Sequence, residues 1–333
     1  MVNEFEQRVY AVRCKKEAER LVSQSGGAFG VIAKYILGLN GCVYGVVQDA
    51  GLKVKYERVE DIDGLKKLHG SKYVQAFIKD EFLQVEEDLM HGKYVFFTGT
   101  PCFIDGLLNY LYIKKCDISQ LITGDLVCHG VVSPQIYSEY LENLRIRNNA
   151  PVKKFIFRDK RFGWKAHREC YSVKGRQMVS SNYTQIFYSN YCLREICYQC
   201  PYASLNRVSD ITMGDYWGIN NIYPEMDDDK GVSLLLINTK KGYSILEKCE
   251  KDFYIKETGS EDCLQPNLQG ATEKPVKYPD FWKSYYAKGF LETVKTFCDV
   301  DEKRDFERLE KKQYIKRIRS KLERMYKALE SEA

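Results

Sequence analysis

Tyr94-Val95-Phe96-Phe97-Thr98-Gly99-Thr100-Pro101-Cys102 and Leu121-Ile122-Thr123-Gly124-Asp125-Leu126-Val127-Cys128-His129-Gly130 decide the reading of this chain. Each begins with an apolar run that reads as a buried strand. Each then stops at a loop bearing a cysteine. Pro101 suits the first turn of a helix running on over residues 103–111, and Ser133-Pro134 opens another to about Arg145. Two strand–loop–helix units in succession predict an α/β fold built on a mixed sheet, with cysteines at strand ends. In open α/β sheets ligands bind at the carboxyl edge of the strands. If the two strands are parallel neighbours, Cys102 and Cys128 approach one another there.

Working outward, residues 42–48 and 52–59 read as a hairpin around Asp49-Ala50-Gly51, and residues 61–68 as a helix. A helix over residues 28–39 follows Ser23-Gln24-Ser25-Gly26-Gly27. Small residues just before a helix leave backbone N–H groups facing outward, which suits an anion or a simple N-cap. In the second half, residues 153–158, 170–173, 211–214 and 233–238 read as strands. Residues 183–191 and a stretch after Lys241-Gly242 read as helices. Arg158-Asp159-Lys160-Arg161-Phe162-Gly163-Trp164-Lys165 mixes charge with aromatic rings, a pattern open to nucleic acid, a phosphate-bearing small ligand or a solvated turn. Residues 258–280 read as loop and residues 281–330 as helices, the last highly charged. The expected division is an N-terminal extension (1–22), a first α/β part (23–150), a second part (151–250), and a loop with C-terminal helices (251–333).

With 44% hydrophobic residues over 333 positions, a substantial core is expected. A net charge of +5 is mild for this length and does not by itself argue for nucleic acid, which is not expected as a partner. No stretch reaches the roughly 20 apolar residues that span a bilayer, and residues 1–10 hold no apolar signal region. A cytoplasmic protein is expected. Its twelve cysteines are then reduced thiols or metal ligands rather than disulfides.

Cys197-Tyr198-Gln199-Cys200 supplies a third cysteine stretch, a CxxC ahead of a Gly-Asp-aromatic loop. Together with Cys102 and Cys128 it offers four thiolates to one point, a donor set for an iron–sulfur cluster or a structural zinc. Zinc sites usually pair their ligands closely, whereas Cys102 and Cys128 are single and far apart in sequence. Unligated thiols are the third reading. Cys192, shortly before the CxxC, is a second-rank ligand candidate. His129 is read either as a hydrogen-bond donor to a cofactor or as a packed side chain.

Ser25-Gly26-Gly27, Gly70-Ser71-Lys72-Tyr73-Val74-Gln75, Gly99-Thr100-Pro101-Cys102, Asp125-Leu126-Val127-Cys128-His129-Gly130, Phe157-Arg158-Asp159-Lys160 with Gly163-Trp164, Cys197-Tyr198-Gln199-Cys200 and Asp210-Ile211-Thr212-Met213-Gly214-Asp215-Tyr216-Trp217-Gly218 occur in that order. This series resembles the coenzyme F420 hydrogenase/dehydrogenase beta-subunit family, over about residues 23–245. The resemblance implies an oxidoreductase holding FAD beside one 4Fe-4S cluster, with coenzyme F420 as a candidate hydride partner. It implies Cys102, Cys128, Cys197 and Cys200 as cluster ligands. It places Ser25, Gly26, Gly27, Lys72, Gly99, Thr100, Arg158, Lys160 and Asp215 near the flavin, with His129 and Asp215 as catalytic candidates. Longer members carry a ferredoxin-like segment before the shared core, where this sequence has only Cys14. A single internal cluster is therefore expected, served by an external ferredoxin or another subunit. The short form resembles bacterial members associated with surface-polysaccharide synthesis. The rival reading is a zinc-stabilised, non-redox binding or assembly protein of such a pathway.

Overall fold

The computed structural model describes residues 5–304 together with Phe306 and Glu307. Its strands are β1 (Arg8–Cys14), β2 (Cys42–Gln48), β3 (Val54–Val59), β4 (Val95–Gly99), β5 (Leu121–Leu126), β6 (Lys154–Ile156), β7 (Glu169–Val173), β8 (Arg176–Ser180), β9 (Ile211–Asp215), β10 (Ser233–Ile237), β11 (Phe253–Thr258) and β12 (Phe306–Glu307). Its helices are α1 (Glu17–Val22), α2 (Ala28–Gly38), α3 (Ile62–Leu68), α4 (Glu81–Met90), α5 (Pro101–Lys114), α6 (Pro134–Asn148), α7 (Asn182–Tyr188), α8 (Lys240–Cys249), α9 (Pro266–Gln269), α10 (Tyr278–Lys288) and α11 (Phe290–Phe297).

An eight-stranded mixed sheet runs in the order β11-β1-β10-β9-β5-β4-β2-β3. Its centre, β2, β4, β5 and β9, is parallel, while the flanking strands pair antiparallel. Helices cover both faces, which is why β4 is apolar along its length. Phe96 packs with α2 and α8, and its neighbour Phe97 packs with α4 and α5, as alternation along a strand requires. A second sheet, β12-β8-β7-β6, is antiparallel. It shares a core with α6, α7, α10 and α11 through Tyr140, Phe155, Tyr183, Phe281 and Val294.

The mixed α/β class and the C-terminal helices agree with the sequence reading, and β4 and β5 are parallel neighbours in register from Val95–Leu121 to Gly99–Asp125. The first 22 residues differ from an extension. Within them β1 lies inside the main sheet, between β10 and β11, with Ala11 and Val12 fully buried. Helix α4 and strand β8 had no counterpart in the sequence reading. The charged helix expected beyond residue 304 lies outside the described residues.

Candidate functional site

The carboxyl ends of β2, β4, β5 and β9 open on a cavity of about 790 Å³. Gly45 and Val46 come from β2, Thr98 to Thr100 from the end of β4, Leu126 to Gly130 from the end of β5, and Met213 to Asp215 from β9. Parallel strands whose ends point one way leave their loops on one edge, so this placement follows from topology.

One wall is the turn before α2. Gly27 is the N-cap of α2 in a left-handed conformation (φ +93°), and no side chain caps the helix. Gly27, Ala28 and Phe29 face the cavity, so the first amides of α2 are directed at whatever fills it. Ser25 lines the cavity, yet its hydroxyl donates to the Val232 carbonyl at 2.7 Å. Gly26 does not reach the cavity wall. It is wedged where a Cβ would lie 2.3 Å from the Val12 carbonyl oxygen, and its N–H donates to Ser233 Oγ.

Two lysines hold this region. Lys72 lines the cavity and donates to the Leu68 and His69 carbonyls, each at 3.0 Å, at the end of α3. Burial pulls its ammonium down to about 7. Lys160, expected near the flavin, sits behind the turn instead. Its Nζ donates to the carbonyls of Arg20, Ser23 and Ser25 at 2.6, 3.0 and 2.6 Å. Its whole donor set is spent on fixing the backbone.

The rest of the basic-aromatic stretch also turns inward. Arg158 is buried and binds Asp215, Asp159 accepts from Arg161, Trp164 is buried, and Lys165 pairs with Asp227. Each of these charges has a partner within the fold, although Arg161 and Lys165 remain about half exposed. Both carboxylate oxygens of Asp215 are occupied, by Arg158 Nη1 at 2.5 Å and Trp164 Nε1 at 2.6 Å. As a catalytic candidate Asp215 thus has one hydrogen bond on each oxygen while it lines the cavity.

His129 lines the cavity with its ring between amides, Nε2 at 2.7 Å from Asn190 Oδ1 and Nδ1 at 3.3 Å from Asn267 Oδ1. It packs on Phe187 and Tyr188. Next to it, groups absent from the expected site form an aromatic wall. Trp217 stacks on Trp164 at 5.0 Å, Arg158 lies 5.2 Å from the Trp217 ring, and His167 Nδ1 lies 2.7 Å from the Tyr188 hydroxyl. Burial and the Arg158 guanidinium lower His167 to about 4. Its ring is therefore neutral, and it shares a hydrogen bond with the Tyr188 hydroxyl.

Beside the cavity stand the cysteines. Cys128 lines it, while Cys102, Cys197 and Cys200 lie outside its wall. Cys102 opens α5 as an exposed residue, with Thr100 Oγ1 at 3.2 Å from its sulfur. Cys197 and Cys200 lie on a short 3-10 turn, Glu195–Gln199, and just after it. Gly130 (φ +129°) lies against Cys197, where a Cβ on it would be 3.3 Å from Cys197 Cβ. The four thiols feel one another electrostatically. Burial pushes Cys128 up to about 12, and Cys197, Cys102 and Cys200 act in the same direction. Burial likewise raises Cys197, with Cys102 and Cys200 adding to it. Such a set ionises fully only around a cation, as four soft sulfur donors for an iron–sulfur cluster or zinc would be. Among the described residues no three His, Cys, Asp or Glu side chains close around a single-ion site. Cys192 is apart from this set, buried against Cys298 in the core of the second sheet.

Among the described residues no helix is long and apolar enough to cross a membrane. A comparison with curated proteins found no match. Among solved structures, a chain of the xenon-derivatised F420-reducing NiFe hydrogenase complex from Methanosarcina barkeri is similar in fold, with a TM-score of 0.53 at 16% identity. The match covers 89% of this chain and 94% of that one. Residues 92–262, half of the sequence and the part that carries all four cysteines and Asp215, match the family model for the C terminus of the coenzyme F420 hydrogenase/dehydrogenase beta subunit. The chain belongs to that family of redox proteins.

Proposed function

We propose that this protein is an FAD- and 4Fe-4S-dependent oxidoreductase that passes electrons between one cluster and one flavin. The observation that carries the reading is the gathering of Cys102, Cys128, Cys197 and Cys200 from three chain stretches beside the cavity at the sheet's carboxyl edge. A structural zinc needs its four sulfurs about 2.3 Å from one atom. A 4Fe-4S cluster offers each cysteine its own iron, which suits four thiols delivered by three separate stretches of chain.

The cavity falls within the roughly 300–1,000 Å³ of ordinary ligand sites. The uncapped start of α2, with Lys72 nearby, suits a pyrophosphate. Trp217, Tyr188 and Phe187 offer flat apolar surface to a ring system. The exposure of Cys102 gives an external ferredoxin or a partner protein an approach to the cysteine set. When bound, a flavin supplies hydride transfer and exchanges single electrons with the cluster. The chain would orient it, exclude water and present Arg158, held by Asp215, on the cavity wall. A deazaflavin such as coenzyme F420 is the proposed hydride partner, and surface-polysaccharide synthesis the proposed setting.

Anaerobic purification tests this. A yellow-brown protein with about four irons and a stoichiometric flavin per chain is expected. A colourless protein with stoichiometric zinc would overturn it in favour of the non-redox assembly reading. Mixing the reduced protein with F420 tests the acceptor, because failure to bleach F420 removes the deazaflavin while leaving cluster and flavin in place. A deletion strain with unaltered surface polysaccharide removes that setting.

A further inference from the structure

Tyr56 belongs to no motif, yet it stands where the cysteine set and the cavity share a wall. It lies on β3 and is 2% exposed. Its ring stacks on Phe97 at 5.2 Å and tilts against Phe103 at 5.3 Å. Those two residues flank Gly99-Thr100-Pro101-Cys102, so the ring is clamped beside the first cysteine loop. The hydroxyl lies against Gly99, where a Cβ would sit 2.1 Å from the Tyr56 oxygen. Gly99 thus has a packing reason to lack a side chain.

Tyr56 borders the cavity, and Cys102, Cys128 and Glu81 act on it electrostatically. Among the described residues its hydroxyl finds no hydrogen-bond partner. Buried phenols usually find one, and the ring here is held so that its hydroxyl lies at Gly99, the start of the loop that carries Cys102. A donor near cluster sulfurs stabilises the reduced, more negative state and so raises the potential.

We propose that Tyr56 donates a hydrogen bond to a sulfur of the group held by Cys102 and Cys128 and so sets its reduction potential. This rests on the cluster reading above. The test is a redox titration, followed by electron paramagnetic resonance, of anaerobically purified wild type and Tyr56→Phe. The variant is expected to keep its iron. Its midpoint should be more negative by a roughly tenfold change in the oxidised-to-reduced ratio, about 59 mV for one electron. An iron-loaded variant with an unchanged midpoint overturns the role of Tyr56 and leaves the cluster reading intact. Wild type without iron overturns the cluster reading itself. Gly99→Ala keeps the phenol but pushes its hydroxyl aside, and it provides a second route if Tyr56→Phe fails to fold. It should shift the midpoint the same way, and no shift there counts equally against the proposal.

Discussion

Arg207 Nη2 lies 3.0 Å from Asp125 Oδ2, and the two side chains are only 1% and 0% exposed. Asp125 is near the end of β5, three residues before Cys128. Arg207 follows the CxxC loop and also donates to the carbonyls of Leu126 (2.9 Å) and Tyr202 (2.5 Å). One guanidinium thus ties the chain beyond Cys200 to the strand that delivers Cys128. Breaking a buried pair from one side leaves the other charge uncompensated, at a cost of about 3–5 kcal/mol. Arg207→Met is therefore expected to lose stability of that order in urea denaturation and to retain less iron. A loss below about 1 kcal/mol, the range of surface pairs, would show that the pair does not hold the loop.

The cysteines separate into ligands and packing. Cys197→Ser is expected to abolish the visible absorbance of the proposed cluster. Cys192→Ser is expected to keep it, because Cys192 is buried beside Cys298 and the thiols that act on Cys128 and Cys197 are the other candidates rather than Cys192. It should instead lower the melting temperature, since a hydroxyl in place of a buried thiol is a poorly paired polar group. Iron analysis of both variants decides the matter, and iron lost from Cys192→Ser would return that residue to the ligand set.

The loops of Cys102 and Cys128 were legible because each follows a run that the fold buries on both faces. β4 needs apolar residues towards α2 and towards α5 alike, so it stands out in the sequence. β1 was illegible for the opposite reason. Arg8 and Arg13 bracket its buried Val9 to Val12 and make Arg8–Cys14 look like a polar extension, although Arg13 finds Asp228 and the Met226 carbonyl. Helix α4 hides its short buried stripe of Val85 and Leu89 among acidic residues. Within the site, residue type misled at Lys160, since nothing local reveals that three carbonyls already take its ammonium. Tyr56, His167 and Tyr188 were invisible because each faces the cavity only through contacts distant in sequence. Gly99 was legible as a special position, but its reason, the Tyr56 hydroxyl, was not.

His167 gives the apoprotein an acid limb. Burial and Arg158 hold its folded value at about 4, below the ordinary 6.5. Below 6.5 the unfolded chain binds a proton that the folded one refuses, so stability falls as pH drops from 6.5 towards 4. Above 6.5 both states are neutral and the contribution is constant. His167→Asn keeps an acceptor for the Tyr188 hydroxyl but cannot titrate, and it should flatten this part of the curve. Urea midpoints at about pH 7, 6 and 5 check it, and parallel curves for the two proteins would show that His167 is not the group responsible.

Asp215 bears on how the site handles protons. Arg158 and Trp164 take both its oxygens, and Gln265 Nε2 donates to its backbone carbonyl at 3.2 Å. Arg158 is itself buried, with its side chain 2% exposed, and its other terminal nitrogen donates to the Trp164 carbonyl. A general base needs a lone pair directed at the substrate, and here one lone pair on each oxygen is taken by the wall. Asp215→Asn keeps an acceptor for Trp164 but removes the charge facing Arg158, leaving that cation unpaired at a cost of about 3–5 kcal/mol. The expected result is lower thermal stability together with loss of the proposed flavin on gel filtration, because an unpaired Arg158 is no longer fixed beside the Trp217 ring. A variant with wild-type stability and full flavin content that fails only in turnover would instead make Asp215 a proton-transfer group.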